Sequence, residues 1–98
     1  MVDYSKLSDF EINCEVAKAN NWTSKSFVHE IHSGKWNPCN NPADAWLIIL
    51  SNKIGINPAT AGDKWAAHYC NWDVAIADAN PLRAAMIVFL MMKDAKNG

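Results

Sequence analysis

The chain has 98 residues, nine basic and ten acidic, for a formal net charge of -1, and half of its residues are apolar. That length accommodates a single domain, residues 1–98, with no room for a second independent core. Five tryptophans and so small a net charge exclude a disordered chain, and near-neutrality gives no long-range field to draw DNA, RNA or anionic lipid. Cys14, Cys39 and Cys70 are odd in number and lack CxxC spacing, so they form neither a disulfide framework nor a ribbon-type zinc site. The polar opening, residues 1–10, carries no apolar export segment and points to a reducing cytosol. The longest apolar run, residues 84–92, would extend about 14 Å as a helix, roughly half a bilayer's hydrocarbon thickness, so no membrane span is expected.

The first element has a clear start. Ser8-Asp9-Phe10-Glu11 is a capping box, with Leu7 and Ile12 placed as a hydrophobic staple, and it predicts a helix over about 9–19. Its apolar stripe (Ile12, Val16, Ala19) is narrow, which places it on the surface. Residues 26–32 mix β-branched and aromatic side chains with polar ones and are predicted as a short strand, followed by a loop at Gly34, Asn37 and Pro38. A second helix, about 42–52, starts at an Asn41 cap with Pro42 in its first position and Asp44 in its first turn. Its body, residues 45–50, is apolar on every face and is expected to be buried, Trp46 included.

Strands are predicted at 53–56 and 64–70, joined by a loop over 57–63, and residues 71–79 read as a connection with a brief extended piece at 74–77. The last helix, about 81–95, repeats the Asn-Pro start at Asn80-Pro81. Its apolar run cannot face water, so it must enter the core or a subunit interface, and the two Asn-Pro helices are expected to pack on each other across a small sheet. The predicted fold is α+β: three helices (about 9–19, 42–52, 81–95) on a small antiparallel sheet (about 26–32, 53–56, 64–70).

Three blocks carry a resemblance. The opening Tyr4-Ser5-Lys6-Leu7-Ser8-Asp9-Phe10-Glu11-Ile12-Asn13, the central Cys39-Asn40-Asn41-Pro42-Ala43-Asp44-Ala45-Trp46, and the stretch from Asn80-Pro81-Leu82-Arg83 to Met91-Met92 together resemble the NinX-like family of small tailed-phage proteins. The blocks cover roughly a third of the chain; residues 22–36 match no family pattern. The resemblance implies a phage or prophage origin and expression in the host cytoplasm. It implies no chemistry, since the family is one of unknown function. Its recurring residues fall here on Asn40, Asn41, Asp44, Trp46, Asn80 and Arg83.

Candidate chemistry is sparse. His29-Glu30-Ile31-His32 is one residue short of the zincin HExxH spacing; on a strand its two imidazoles point to opposite faces, whereas on a helix they could converge with Cys39 or with His68 and Cys70. The bland alternative is a solvated polar segment, and no metal site and no cofactor are assigned. Cys39, just before a helix N-terminus, would gain nucleophilicity from the dipole; the bland reading is a small buried residue, and no catalytic residue is assigned. Arg83 is more informative, because a cation in a first helical turn opposes the dipole at a cost of a few tenths to about 1 kcal/mol. Either an ion pair with Asp78, Asp44 or Asp73 offsets this, or Arg83 and free helix amides hold an anion. Arg83, Asn40 and Asp44 are therefore the candidate binding residues.

The leading expectation is a non-enzymatic phage accessory protein that works by protein–protein contact, with an unnamed protein partner and as a homodimer; its support is an excess of apolar helix surface for a domain of this size. A nucleic-acid-associated factor is the alternative, weakened by the neutral charge, since a stacking platform of tryptophans needs a basic groove beside it. A small enzyme using Cys39 or His29 and His32 comes third.

Overall fold

The computed structural model describes residues 3–59, 62–69 and 73–97. After a 3-10 turn at Tyr4–Lys6 come helix α1 (Asp9–Ala19), α2 (Lys25–Ser33) and α3 (Pro42–Ser51), then strands β1 (Gly55–Pro58), β2 (Trp65–Tyr69) and β3 (Val74–Asp78), and finally α4 (Pro81–Asn97). The three strands form an antiparallel sheet in the order β1-β2-β3. The fold is α+β, with four helices rather than three.

Local chemistry explains the boundaries. The capping box is formed: Glu11 N donates to Ser8 Oγ at 3.1 Å, and Ser8 N donates to Glu11 Oε1 at 3.0 Å. Helix α3 starts at Asn41, whose Oδ1 accepts from Ala43 N at 3.0 Å. It closes in a Schellman arrangement, with Ile54 N donating to Ile49 O at 3.0 Å and Lys53 N to Leu50 O at 3.3 Å. Lys53 takes the left-handed conformation (φ 54°) that this stop requires and that glycine would adopt with less strain.

The strand expected over 26–32 is instead helix α2. Ser24 Oγ caps it by accepting from Phe27 N, and Gly34 ends it in the left-handed region at φ 82°. Phe27, Val28 and Ile31 stand at helical spacing on one side, and the polar residues between them, which break a strand's alternation, simply face water. The sheet's third member comes from the connection instead: the extended piece expected at 74–77 is strand β3, paired with β2 from Tyr69↔Val74 to Trp65↔Asp78. The strand predicted at 53–56 begins two residues later, because Lys53 and Ile54 complete the end of α3. Cys70, the expected last residue of the 64–70 strand, and Trp72 lie outside the described residues.

Helix α4 is the centre of the molecule. Residues 84–90 are all buried; α4 lies against β2 and β3 on one side and against α1 and α3 on the other, so the two Asn-Pro helices pack on each other directly rather than across the sheet. Ile56, Ala67, Tyr69, Val74 and Ile76 give the sheet's inner face to this core. The opposite face carries Gly55, Asn57, Ala66, His68, Ala75 and Ala77 by register. There the His68 ring lies across Gly55, where a Cβ would come within 2.3 Å of it, and His68 Nε2 hydrogen-bonds to Asn57 Oδ1 at 2.8 Å. Helix α1 buries Ile12, Asn13, Val16 and Ala17, and α2 leans on α1.

Candidate functional site

The residues singled out in the sequence meet where the loop before α3 crosses the starts of α1 and α4. The Arg83 side chain is only 13% exposed, and its donors point at protein groups. Nη1 donates to Asp9 Oδ1 at 2.6 Å, Nε to Asp78 Oδ2 at 3.2 Å, and Nη2 to the Leu7 and Ser5 carbonyls at 2.7 and 3.0 Å. Burial works against its charge, but the hydrogen bonds to Asp9 and Asp78 outweigh burial and raise its pKa above the usual value. Of the three ion-pair partners considered from the sequence, Asp78 is the one paired; Asp9 joins it from the far end of the chain.

The neighbouring amides extend this clasp. Asn80 Oδ1 accepts from Leu82 N and Arg83 N to cap α4, while its Nδ2 donates to Cys39 O at 2.6 Å and to Asn40 Oδ1 at 3.2 Å. Asn40 Nδ2 in turn donates to Asp9 Oδ2 at 3.0 Å. Asp44 Oδ2 accepts from Asn37 N at 2.8 Å, and the buried Asn13 donates to Asn37 Oδ1 and accepts from Cys39 N. Arg83, Asn40 and Asp44 are thus brought into one polar network that fixes the loop over residues 37–41 between α1 and α4. Among the described residues, no buried side-chain nitrogen or oxygen lacks a partner.

Cys39 lies inside this clasp, fully buried, with its thiol directed at Asp9 O at 3.8 Å. Burial first, then the Asp9 carboxylate, pushes its pKa up to about 12. A thiolate nucleophile has no support at such a position. His29 and His32 are exposed on α2, and the His32 ring packs edge-on against Phe10 at 5.0 Å. Among the described residues, no group of three or more His, Cys, Asp or Glu side chains is placed to hold a metal ion.

Two surfaces went unseen in the sequence. Trp22, Phe27 and Trp36 form a contacting triad, with ring centroids 4.8–5.8 Å apart, beside a groove of about 430 Å³. The groove is aromatic, but among the described residues its lining (with Asn21, Thr23 and Ser24) contains no cation to follow a phosphate backbone.

The second surface corrects the expectation for residues 45–50. Only Ala45, Ile48 and Ile49 turn to the core; Trp46, Leu47 and Leu50 are 58, 65 and 54% exposed. Packing against α4 covers one side of α3, and an all-round apolar sequence cannot reveal that the other side stays in water. Beside this ridge, Trp46, Ile49, Leu50, Lys53, Ile54 and Ile56 line a hollow of about 400 Å³ between α3 and β1.

No helix among the described residues is long and apolar enough to cross a membrane. No curated protein and no solved structure matches the chain. The model of one phage family, described as Bacteriophage P22, NinX, matches residues 3–93, a span that takes in the clasp, α3 and most of α4. The chain belongs to the NinX family of bacteriophage proteins.

Proposed function

We propose that this phage accessory protein is non-enzymatic and acts in the host cytoplasm by protein–protein contact through the outer face of α3. The observation that carries this reading is the exposure of Trp46, Leu47 and Leu50 on one side of a helix whose other side is core. Each of these side chains, more than half exposed, forgoes roughly half or more of the about 1.5–3 kcal/mol that full burial of a large apolar side chain contributes. Folded domains keep such clusters where a partner covers them. A tryptophan flanked by leucines is also the residue chemistry of an interface hot spot.

The polar clasp supports the same reading. Asp44 ties the first turn of α3 to Asn37, and Asn40 ties the preceding loop to α1 and α4, so the ridge is carried on a rigid element. A pre-ordered face loses less side-chain and loop freedom on binding. With the Arg83 donors engaged by Asp9, Asp78 and two carbonyls, and with Cys39 buried, those residues act as the frame of the contact surface. The family's phage origin supports action inside the host cell.

Affinity capture from phage-infected host cells tests this, with the tagged wild-type chain and Leu47→Asp as parallel baits. At least one protein, foreign or an untagged copy of the chain itself, is expected to be held by the wild type and lost by the variant. Identical sets of captured proteins would sink the reading, provided both baits melt at the same temperature.

A further inference from the structure

Resting on the α3 contact reading, we propose that the partner covering this face is a second copy of the same chain, bound about a two-fold axis with the two α3 helices antiparallel. Three features of the face select a copy of itself. First, the face is self-complementary. Leu47, 65% exposed, stands as a ridge outside the hollow, and the hollow lies beside it on the same flank, lined by Trp46, Ile49, Leu50, Lys53, Ile54 and Ile56. A two-fold contact applies one patch to itself and therefore needs a projection and a recess side by side; a foreign partner requires no such pairing.

Second, the electrostatics favour a neutral mate. Among the described residues, Lys53 is the one charged residue lining the hollow, and the whole chain carries only -1, so two copies approach without appreciable repulsion. Among the described residues lining the hollow, a strongly acidic partner would meet only the Lys53 ammonium and a strongly basic one no carboxylate. The antiparallel arrangement sets the two Lys53 ammonium groups at opposite ends of the contact, and it sets the helix dipoles head to tail.

Third, the area suits a reversible dimer. From their exposures, Trp46, Leu47 and Leu50 offer on the order of 300 Å² per copy. The stem of Lys53 and the flank of edge strand β1 around Ile56 bring this toward the ~500 Å² per partner at which specific interfaces begin. Such a dimer forms and dissociates with concentration, leaving the monomer folded on its α4 core.

Sedimentation velocity across a wide concentration series, on the full chain, tests this. The wild type is expected to pass from monomer to dimer, and Leu47→Asp, which replaces two apolar ridge contacts by carboxylates facing a recess whose lining is apolar apart from Lys53, to weaken association roughly 30-fold or more. Leu50→Asp should do the same from the far side of the ridge, and both variants should keep the wild-type melting temperature measured at low concentration. A wild type that stays monomeric throughout overturns the proposal, as does a Leu47→Asp chain that dimerises like the wild type. If the wild type is a strict monomer and Leu47→Asp nevertheless loses a captured foreign protein, the two-fold pairing falls and the α3 contact reading stands.

Discussion

Helices α3 and α4 begin with the same Asn-Pro device and carry comparably apolar bodies, yet they end in opposite environments. Residues 84–90 of α4 are buried on every side, whereas α3 buries Ala45, Ile48 and Ile49 and holds Trp46, Leu47 and Leu50 in water. Position in the fold accounts for the difference. Helix α4 is enclosed by β2 and β3 on one side and by α1 and α3 on the other, while α3 packs on α4 from the flank. The caps differ in the same sense: Asn41 holds its own helix by a local bond to Ala43 N, but Asn80 also reaches across to Cys39 O and Asn40 Oδ1. Apolarity makes a helix available for burial, and its neighbours decide whether the burial is internal or left to a partner.

The sharpest way to break this contrast is a matched pair of truncations. Phe89, fully buried in α4, should cost ~3–5 kcal/mol as Phe89→Ala, from lost transfer free energy plus the cavity left behind. Leu47→Ala should stay within about 0.5 kcal/mol in the monomer, as an exposed site does. Chemical denaturation of both at low concentration checks the pair. Equal losses would mean that α3 is as enclosed as α4.

The next largest effect concerns the clasp that joins the two helices. Arg83→Ala should destabilise the domain by roughly 2–4 kcal/mol, because it strands the Asp78 and Asp9 carboxylates near each other and frees two carbonyls. Lysine should recover little of this, since a single ammonium cannot reproduce a fork that addresses Asp78 with Nε and Asp9 with Nη1. Thermal melts of the two variants test it, and a melting temperature unchanged in Arg83→Ala would remove the residue from the frame.

Much of this arrangement was legible in the chain, and the failures have physical causes. The capping box located the start of α1 at Asp9, and the Asn-Pro pairs located the starts of α3 and α4, because caps are local chemistry over a few residues. Helix α2 was misread because its polar residues obscured Phe27, Val28 and Ile31 at helical spacing; Ser24 and Gly34, which cap and stop it, were the signal available. Strand β3 is short and, apart from Val74 and Ile76, made of alanine and aspartate, and its pairing with β2 supplies what its composition lacks. At the candidate site, Asp78 was within reach of sequence reasoning, five residues from Arg83, but Asp9 is 74 residues away and only the fold brings it there. The exposure of Trp46 is of the same kind, since it depends on which side of α3 faces α4 and leaves no mark in α3's own residues.

The smallest effect distinguishes the far end of α4 from everything on α3. Tyr4 is buried, and its hydroxyl donates to Asp94 Oδ2 at 2.5 Å, fastening the 3-10 turn to the last turns of α4. Burial first, and then the hydrogen bond to Asp94, raise its pKa from 10.0 to about 12. The neutral phenol is therefore the form the fold favours: its contribution is fully present below the unfolded value of 10.0 and is lost as pH rises through about 12. Tyr4→Phe should cost about 1 kcal/mol or less at neutral pH, the net value of one hydrogen bond. Because phenylalanine does not titrate, the gap between variant and wild type should narrow above pH 10, as the wild type alone loses this contribution. Cys39, raised from 9.0 to about 12, adds an alkaline loss of the same sign to both chains and so cancels from their difference. Parallel denaturation curves from pH 7 to the alkaline limit would show the convergence, and a gap constant with pH would mean that the phenol does not titrate against Asp94. Neither titrating group lies on the ridge of Trp46, Leu47 and Leu50, so association through α3, compared below the pH of unfolding, should be the same in both chains. That independence is the contrast in its finest form: one helix is secured along its length by internal bonds, and the other keeps one side in reserve.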